Sequence, residues 1–156
     1  MNDAKASPLA RLVAAHPGIW AKDATAISFL PSGWYEIVHG LLLRIENEVG
    51  NDIAKFRIEQ IKEKYAGLRV YYSIHGRTRL NVDLGMPGQR VRMRERSAGK
   101  LSERIDGLID EAEAECARSC QICGASARRR DDGGWLATLC DPHAKERRAS
   151  EDVDSE

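Results

Sequence analysis

Four side chains stand at metal-ligand spacing near the C-terminus: Cys120 and Cys123 with two residues between them, then, after 16 residues, Cys140 and His143 with two between them. Two residues between donors let one tight turn aim both at a single ion, and three thiolates with one imidazole suit tetrahedral Zn²⁺. Gly124 follows the second cysteine and permits that turn. Gly133-Gly134 marks a hairpin turn inside the gap, with 135–139 as the returning strand. Asp141 and Pro142 suit an N-cap and a first helical position. Knuckle, hairpin and helix in this order predict a treble-clef-like zinc finger over 119–149, with one structural Zn²⁺ on Cys120, Cys123, Cys140 and His143. Four protein donors close the coordination shell, so such a site stabilises a fold and performs no hydrolysis. Cys116, four residues before Cys120, is the alternative fourth ligand to His143. It also lies on an apolar helix face, where a reduced cysteine acts as a small hydrophobe.

A second set of residues suits anions. Arg90, Arg92, Arg94 and Arg96 alternate within an arginine-rich segment, and extended chain would place them on one side at about 6.6–7 Å intervals. They are the candidate partner-binding residues, for phosphates or for an acidic protein surface. Arg128-Arg129-Arg130 forms another run inside the cysteine module, although Asp131 and Asp132 follow it at once.

Catalytic patterns are scarce. No Walker loop, G-x-S-x-G, H-E-x-x-H or dinucleotide-binding fingerprint occurs, and no glutamate completes a zinc-deaminase pattern. His16, His39 and His75 are isolated in sequence, and His39 reads as a packed core histidine. The expectation is a protein that is not an enzyme.

The elements that position these residues follow from periodicity. Ser7 and Pro8 start a short helix that Pro17-Gly18 stops, and an apolar-studded arm completes 1–31. From Ser32, the residues Trp34, Val38, Leu41, Ile45 and Val49 repeat at the helical period, up to Gly50-Asn51. Residues 56–74 read as a β-hairpin turning near Tyr65-Ala66-Gly67, with Gly67 carrying the positive φ of the reversal; a helix over 58–64 is the competing reading. Leu80, Val82 and Leu84 suggest a third strand. Leu101, Ile105, Leu108, Ile109, Ala112 and Cys116 share one face of a helix over 100–118, whose acidic C-terminal end calls for a basic neighbour or simple solvation. The fold class is α+β: two main helices on a small antiparallel sheet in a core over 32–118, with an arginine-rich insertion at 76–99. A C-terminal treble-clef-like zinc finger and a disordered acidic tail at 150–156 complete it.

The 156 residues suit one domain with a small appendage. Lys plus Arg and Asp plus Glu are both 24, which argues against a histone-like DNA coat. Aromatics at 6% argue against a broad base-stacking platform. No apolar stretch reaches bilayer length and the N-terminus does not read as a secretory signal, so the chain reads as cytoplasmic, without a membrane partner.

Gly33-Trp34-Tyr35, the run from Gln60 to Tyr71 (QIKEKYAGLRVY), Ala112-Glu113, the C-x2-C-G knuckle and the run from Thr138 to Ala144 (TLCDPHA) together resemble a family of small bacteriophage and prophage proteins. That resemblance spans roughly 32–145 and rests most on the hairpin signature Q-[IV]-K-E-K-[FY]-x-G-L-R. Segment 76–99 and the N-terminal arm depart from the family pattern. The resemblance implies a helix, a hairpin, a second helix and a zinc finger. It also implies phage origin, with a role in countering host defence, host takeover or regulation. The partner expected on this basis is a host protein or nucleoprotein complex in the host cytoplasm, anti-defence inhibition being one such role. Direct nucleic-acid binding through the arginine-rich segment is the alternative.

Overall fold

The computed structural model describes residues 6–78, 81–83, 90–92 and 99–153. Helix α1 spans Pro8–Ala15, and the Ser7 hydroxyl accepts the Ala10 N–H at 3.1 Å, the expected cap. Helix α2 spans Tyr35–Val49 and ends at Gly50, whose φ of 52° few other residues tolerate. Strands β1 (Phe56–Lys64) and β2 (Gly67–Ile74) form the antiparallel hairpin, which excludes a helix over 58–64. The short β3 (Arg77–Thr78) extends this sheet to three strands, in the order β1-β2-β3. Val82 lies in β4 (Asn81–Asp83), which pairs with β5 (Arg90–Arg92) as a separate two-stranded ribbon; Leu80 and Leu84 lie outside the described residues. Helix α3 covers Lys100–Cys116. The cysteine module adds the hairpin β6 (Arg128–Asp132) and β7 (Trp135–Leu139) and then helix α4 (Asp141–Val153). The architecture is α+β, and among the described residues no helix is long and apolar enough to cross a membrane.

The core is where the two periodicities meet. Val38, Leu41, Leu42 and Ile45 of α2 and Ile105, Ile109 and Cys116 of α3 pack with Phe56, Ile58, Ile61, Leu68, Val70 and Tyr72 of the hairpin. Arg44 of α2 donates to Glu111 of α3 at 2.8 Å, so the acidic end of α3 does have a basic neighbour. That pair is exposed and contributes little stability. Inside the core, the Tyr72 hydroxyl donates to Asp106 Oδ1 at 2.7 Å. Tyr72→Phe removes this buried bond and is expected to lower unfolding stability by about 2 kcal/mol, measured by denaturant titration.

Two features differ from the sequence reading. The hairpin turns on Tyr65 and Ala66, at φ 53° and 64°, and not on Gly67. The loop has only two residues, and a two-residue reversal matching strand twist needs positive φ at both. The Ala66 N–H donates to Glu63 Oε1 at 2.7 Å and the Ala66 carbonyl accepts the buried Thr138 hydroxyl at 2.9 Å, contacts that offset the strain. At the other end of the chain, α4 continues through Val153, so Ser150–Val153 are helical rather than disordered tail. Arg147 and Glu151 pair at 3.4 Å at i,i+4 spacing, which supports that last turn.

The arm between α1 and α2 lies along the free edge of β1. Ile58 donates to the Ile19 carbonyl and Ala21 donates to that of Ile58, while Phe29 donates to that of Ile61. Helix α1 is fastened to α2 by polar contacts absent from the sequence reading. Fully buried His16 places Nε2 2.9 Å from His39 Nδ1. Its Nδ1 lies 3.0 Å from Glu46 Oε1, which sits off the ring N–H axis, at ion-pair distance without an aligned hydrogen bond. Arg11 covers the Tyr35 ring, and that ring stacks on His39. His39 is therefore a packing residue, with His16 as its partner.

Candidate metal centre

The knuckle is built by backbone hydrogen bonds. Cys120 donates to the Ala125 carbonyl at 2.8 Å, and Gly124, at φ 77°, donates to that of Cys120 at 2.8 Å. This closes the turn that carries Cys120 and Cys123. Strand β7 delivers Cys140 to the start of α4, where its carbonyl accepts the Ala144 N–H at 3.0 Å. Cys140 thus takes the cap position that the sequence gives to Asp141. One helical turn on, His143 faces back toward the sulfurs.

All four ligand atoms lie within 4.8 Å of one another. The Cys123 and Cys140 sulfurs are 3.8 Å apart, and His143 Nδ1 is 3.5 Å from the Cys120 sulfur and 3.1 Å from that of Cys140. A tetrahedral ion with bonds of about 2.3 Å to sulfur and about 2.1 Å to nitrogen requires edges of about 3.8 Å and 3.6 Å. These residues could therefore hold one metal ion, with His143 ligating through Nδ1. Its Nε2 faces Glu146 at 4.0 Å, on the outer side.

The electrostatics of the cluster favour a cation. Burial works to raise the Cys120 thiol, but the backbone N–H groups of Cys140, Cys123 and Ile122 outweigh it and bring the thiol down to about 6. The His143 backbone N–H works to lower the Cys140 thiol. Burial and the sulfurs of Cys120 and Cys123 prevail, holding it above its ordinary value. Sulfurs crowded into one place resist ionising together, and a bound cation relieves that conflict.

Cys116 is not a fourth ligand. It is fully buried in the main core, apart from the four-residue cluster. Burial, with Glu115 and Glu113 nearby, pushes its thiol far above the usual range, so it stays a neutral packing group.

The module is seated on the core by three consecutive residues before α2. Ser32 Oγ donates to the Ile122 carbonyl at 2.9 Å, Gly33 N–H to that of Gln121 at 2.8 Å, and the indole N–H of buried Trp34 to that of Ser119 at 2.8 Å. Ser32 thus serves the knuckle as well as opening the helical region. Trp34 was legible as a helix-stripe residue, but the seat it forms with Ser32 and Gly33 was not.

Of the arginine-rich set, Arg90 and Arg92 stand two apart on β5, opposite Asp83 and Asn81. Arg94 and Arg96 lie outside the described residues. No protein-family model, no curated protein and no solved structure matches the chain.

Proposed function

We propose that this is a non-enzymatic binding protein, propped by a structural Zn²⁺ on Cys120, Cys123, Cys140 and His143, that docks on a host protein or nucleoprotein complex in the cytoplasm. The donor set supports zinc: three sulfurs and one imidazole at tetrahedral edges match its preference, and four protein donors leave no open position for a reacting water. The resemblance to phage and prophage proteins supports a host partner and, within that, an anti-defence role. The observation that carries a protein partner is apolar surface on the arm. Ile27 and Phe29 are 57% and 61% exposed beside β1, and Ile122 is also exposed, on the knuckle bonded to Ser32. Large side chains gathered on one stretch of rigidly paired chain suit the apolar centre of an interface.

The test is retention of a partner from nuclease-treated bacterial lysate on the tagged, zinc-loaded protein. The wild type is expected to retain a stoichiometric protein, and Phe29→Asp to lose it by tenfold or more, as for an interface hot spot. Its metal content and melting should be unchanged. Equal retention by the variant, or no stoichiometric protein retained by the wild type, would overturn the reading.

A further inference from the structure

The hairpin of the cysteine module carries a second surface, distinct from the arm. Over 118–151 the chain holds seven basic and five acidic residues, and the pairing among them is uneven. Asp131 and Asp132, which follow the arginine run and would seem to neutralise it, are both engaged in building the hairpin. Asp131 Oδ1 accepts the Gly134 N–H of the turn at 2.9 Å, and Asp132 Oδ1 accepts from Arg148 of α4 at 2.9 Å. Asp141 is the carboxylate on the arginine side. Its Oδ1 accepts from the Arg130 guanidinium, so Arg130 is the member of the run that it occupies. Among the described residues, Arg118, Arg128 and Arg129 make no ion pair, and all three are exposed. The Ala127 N–H bonds the Arg118 carbonyl, which brings Arg118 beside the start of β6.

At the other end of the same hairpin stands Trp135, paired with Asp132 and 67% exposed. Arg147 covers its ring at 5.4 Å. Trp135 pairs with Asp132, follows the Gly133-Gly134 turn and carries Arg147 over its ring. A lone, cation-backed aromatic about 13 Å along the strand from Arg128, which alternates onto the same face, offers one stacking face with a phosphate ligand in line.

We infer that the β6–β7 hairpin is a contact site for single-stranded nucleic acid, with a base stacked on Trp135 and phosphates on Arg118 and on Arg128, which alternates onto the Trp135 face of the hairpin. The arginines carry affinity without sequence preference, and Trp135 selects unstacked bases over duplex. This surface stands apart from Ile27 and Phe29, so it neither requires nor replaces the protein interface.

The test uses the full, zinc-loaded chain and a fluorescein-labelled, mixed-sequence single-stranded DNA of about 20 nucleotides, read by anisotropy at several salt concentrations. The wild type should bind at low salt, more tightly than it binds the corresponding duplex, and weaken steeply as salt rises. Trp135→Ala should weaken binding on the order of tenfold with the salt slope retained, and Trp135→Phe should restore most of it. Arg118→Ala with Arg128→Ala should weaken binding and make the slope shallower by about 1.4, the share of two phosphate contacts. Unchanged metal content shows that each variant is folded. No binding at low salt, equal binding by Trp135→Ala, or displacement of the DNA by polyglutamate at equal charge would overturn the inference; the last would assign the surface to an acidic protein. Phe29→Asp should bind the DNA like wild type, so failure here leaves the arm interface standing.

Discussion

With Zn²⁺ on the cluster as proposed, its removal by a strong chelator is expected to unfold residues 119–149 while leaving the core of α2, α3 and the β1–β2 hairpin folded. The buried cluster of the module consists of Cys120, Ala137, Leu139, Cys140 and Ala144. Two of these five are ligands, and the alanines bury little surface. Burying Leu139 supplies about 2 kcal/mol. Ordering the backbone costs about 1–2 kcal/mol for each residue fixed. The apolar cluster therefore cannot hold the module, whereas a structural zinc in a finger contributes about 10–16 kcal/mol at neutral pH. The main core buries Trp34, Phe56 and a full set of aliphatic side chains without help from the metal. Amide hydrogen exchange with and without chelator would separate the two parts. Protection should vanish from β6, β7 and α4 and persist in β1, β2 and α3. Cys123→Ser should reproduce the loss, because the knuckle then offers one sulfur instead of two. Metal analysis should return about one zinc per untreated chain. Unchanged protection across the module after complete metal removal would show that packing alone holds it.

How much of this was legible from the sequence depends on the range over which the signal is written. The Cys120, Cys123, Cys140 and His143 cluster was legible because each pair sits within one turn and the chemistry of sulfur and imidazole is specific. The β1–β2 hairpin and both main helices were legible because their apolar residues follow a local period. Tyr65 and Ala66 at positive φ were not, since that strain is offset by Thr138, which is 72 residues away along the chain. The contact between His16 and His39 was likewise hidden, because nothing in two isolated histidines says that an α1–α2 packing will align them. Gly33, Trp34, Ala66 and Thr138, which lie in separate stretches of the chain, have a common location in the fold. Gly33-Trp34 meets the knuckle at Gln121 and Ser119, and Ala66 meets Thr138, which in turn accepts the Gln121 N–H through its carbonyl. Scattered along the sequence, these segments are one docking joint in space.

That joint yields the second large expected effect, far in sequence from any ligand. Gly33→Ala is expected to destabilise the zinc-loaded protein by about 3 kcal/mol. A Cβ on Gly33 would stand 2.0 Å from the Cys120 carbonyl oxygen, 2.6 Å from the Gly124 nitrogen and 2.8 Å from the Gln121 carbonyl carbon. All three atoms belong to backbone, so no flexible side chain can swing aside. The knuckle also cannot retreat on its own, because Cys120 and Cys123 are tied into the ligand cluster and Gly124 closes the turn. Relief comes only by lifting the module from Ser32–Trp34. That breaks the Gly33 N–H bond to Gln121 and leaves the indole N–H of Trp34 without the Ser119 carbonyl. Gly40→Ala supplies the control. Gly40 lies inside α2 with nothing within 4 Å of the added methyl, so alanine should stabilise the helix by about 1 kcal/mol. Denaturant unfolding of the two zinc-loaded variants should therefore shift in opposite directions, although the sites are seven residues apart. Hydrogen exchange should show the Gly33→Ala loss concentrated at Trp34, Ala66 and the knuckle. A Gly33→Ala variant within about 0.5 kcal/mol of wild type would mean that the knuckle does not rest on this corner, and that the metal module is only tethered to the core through α3.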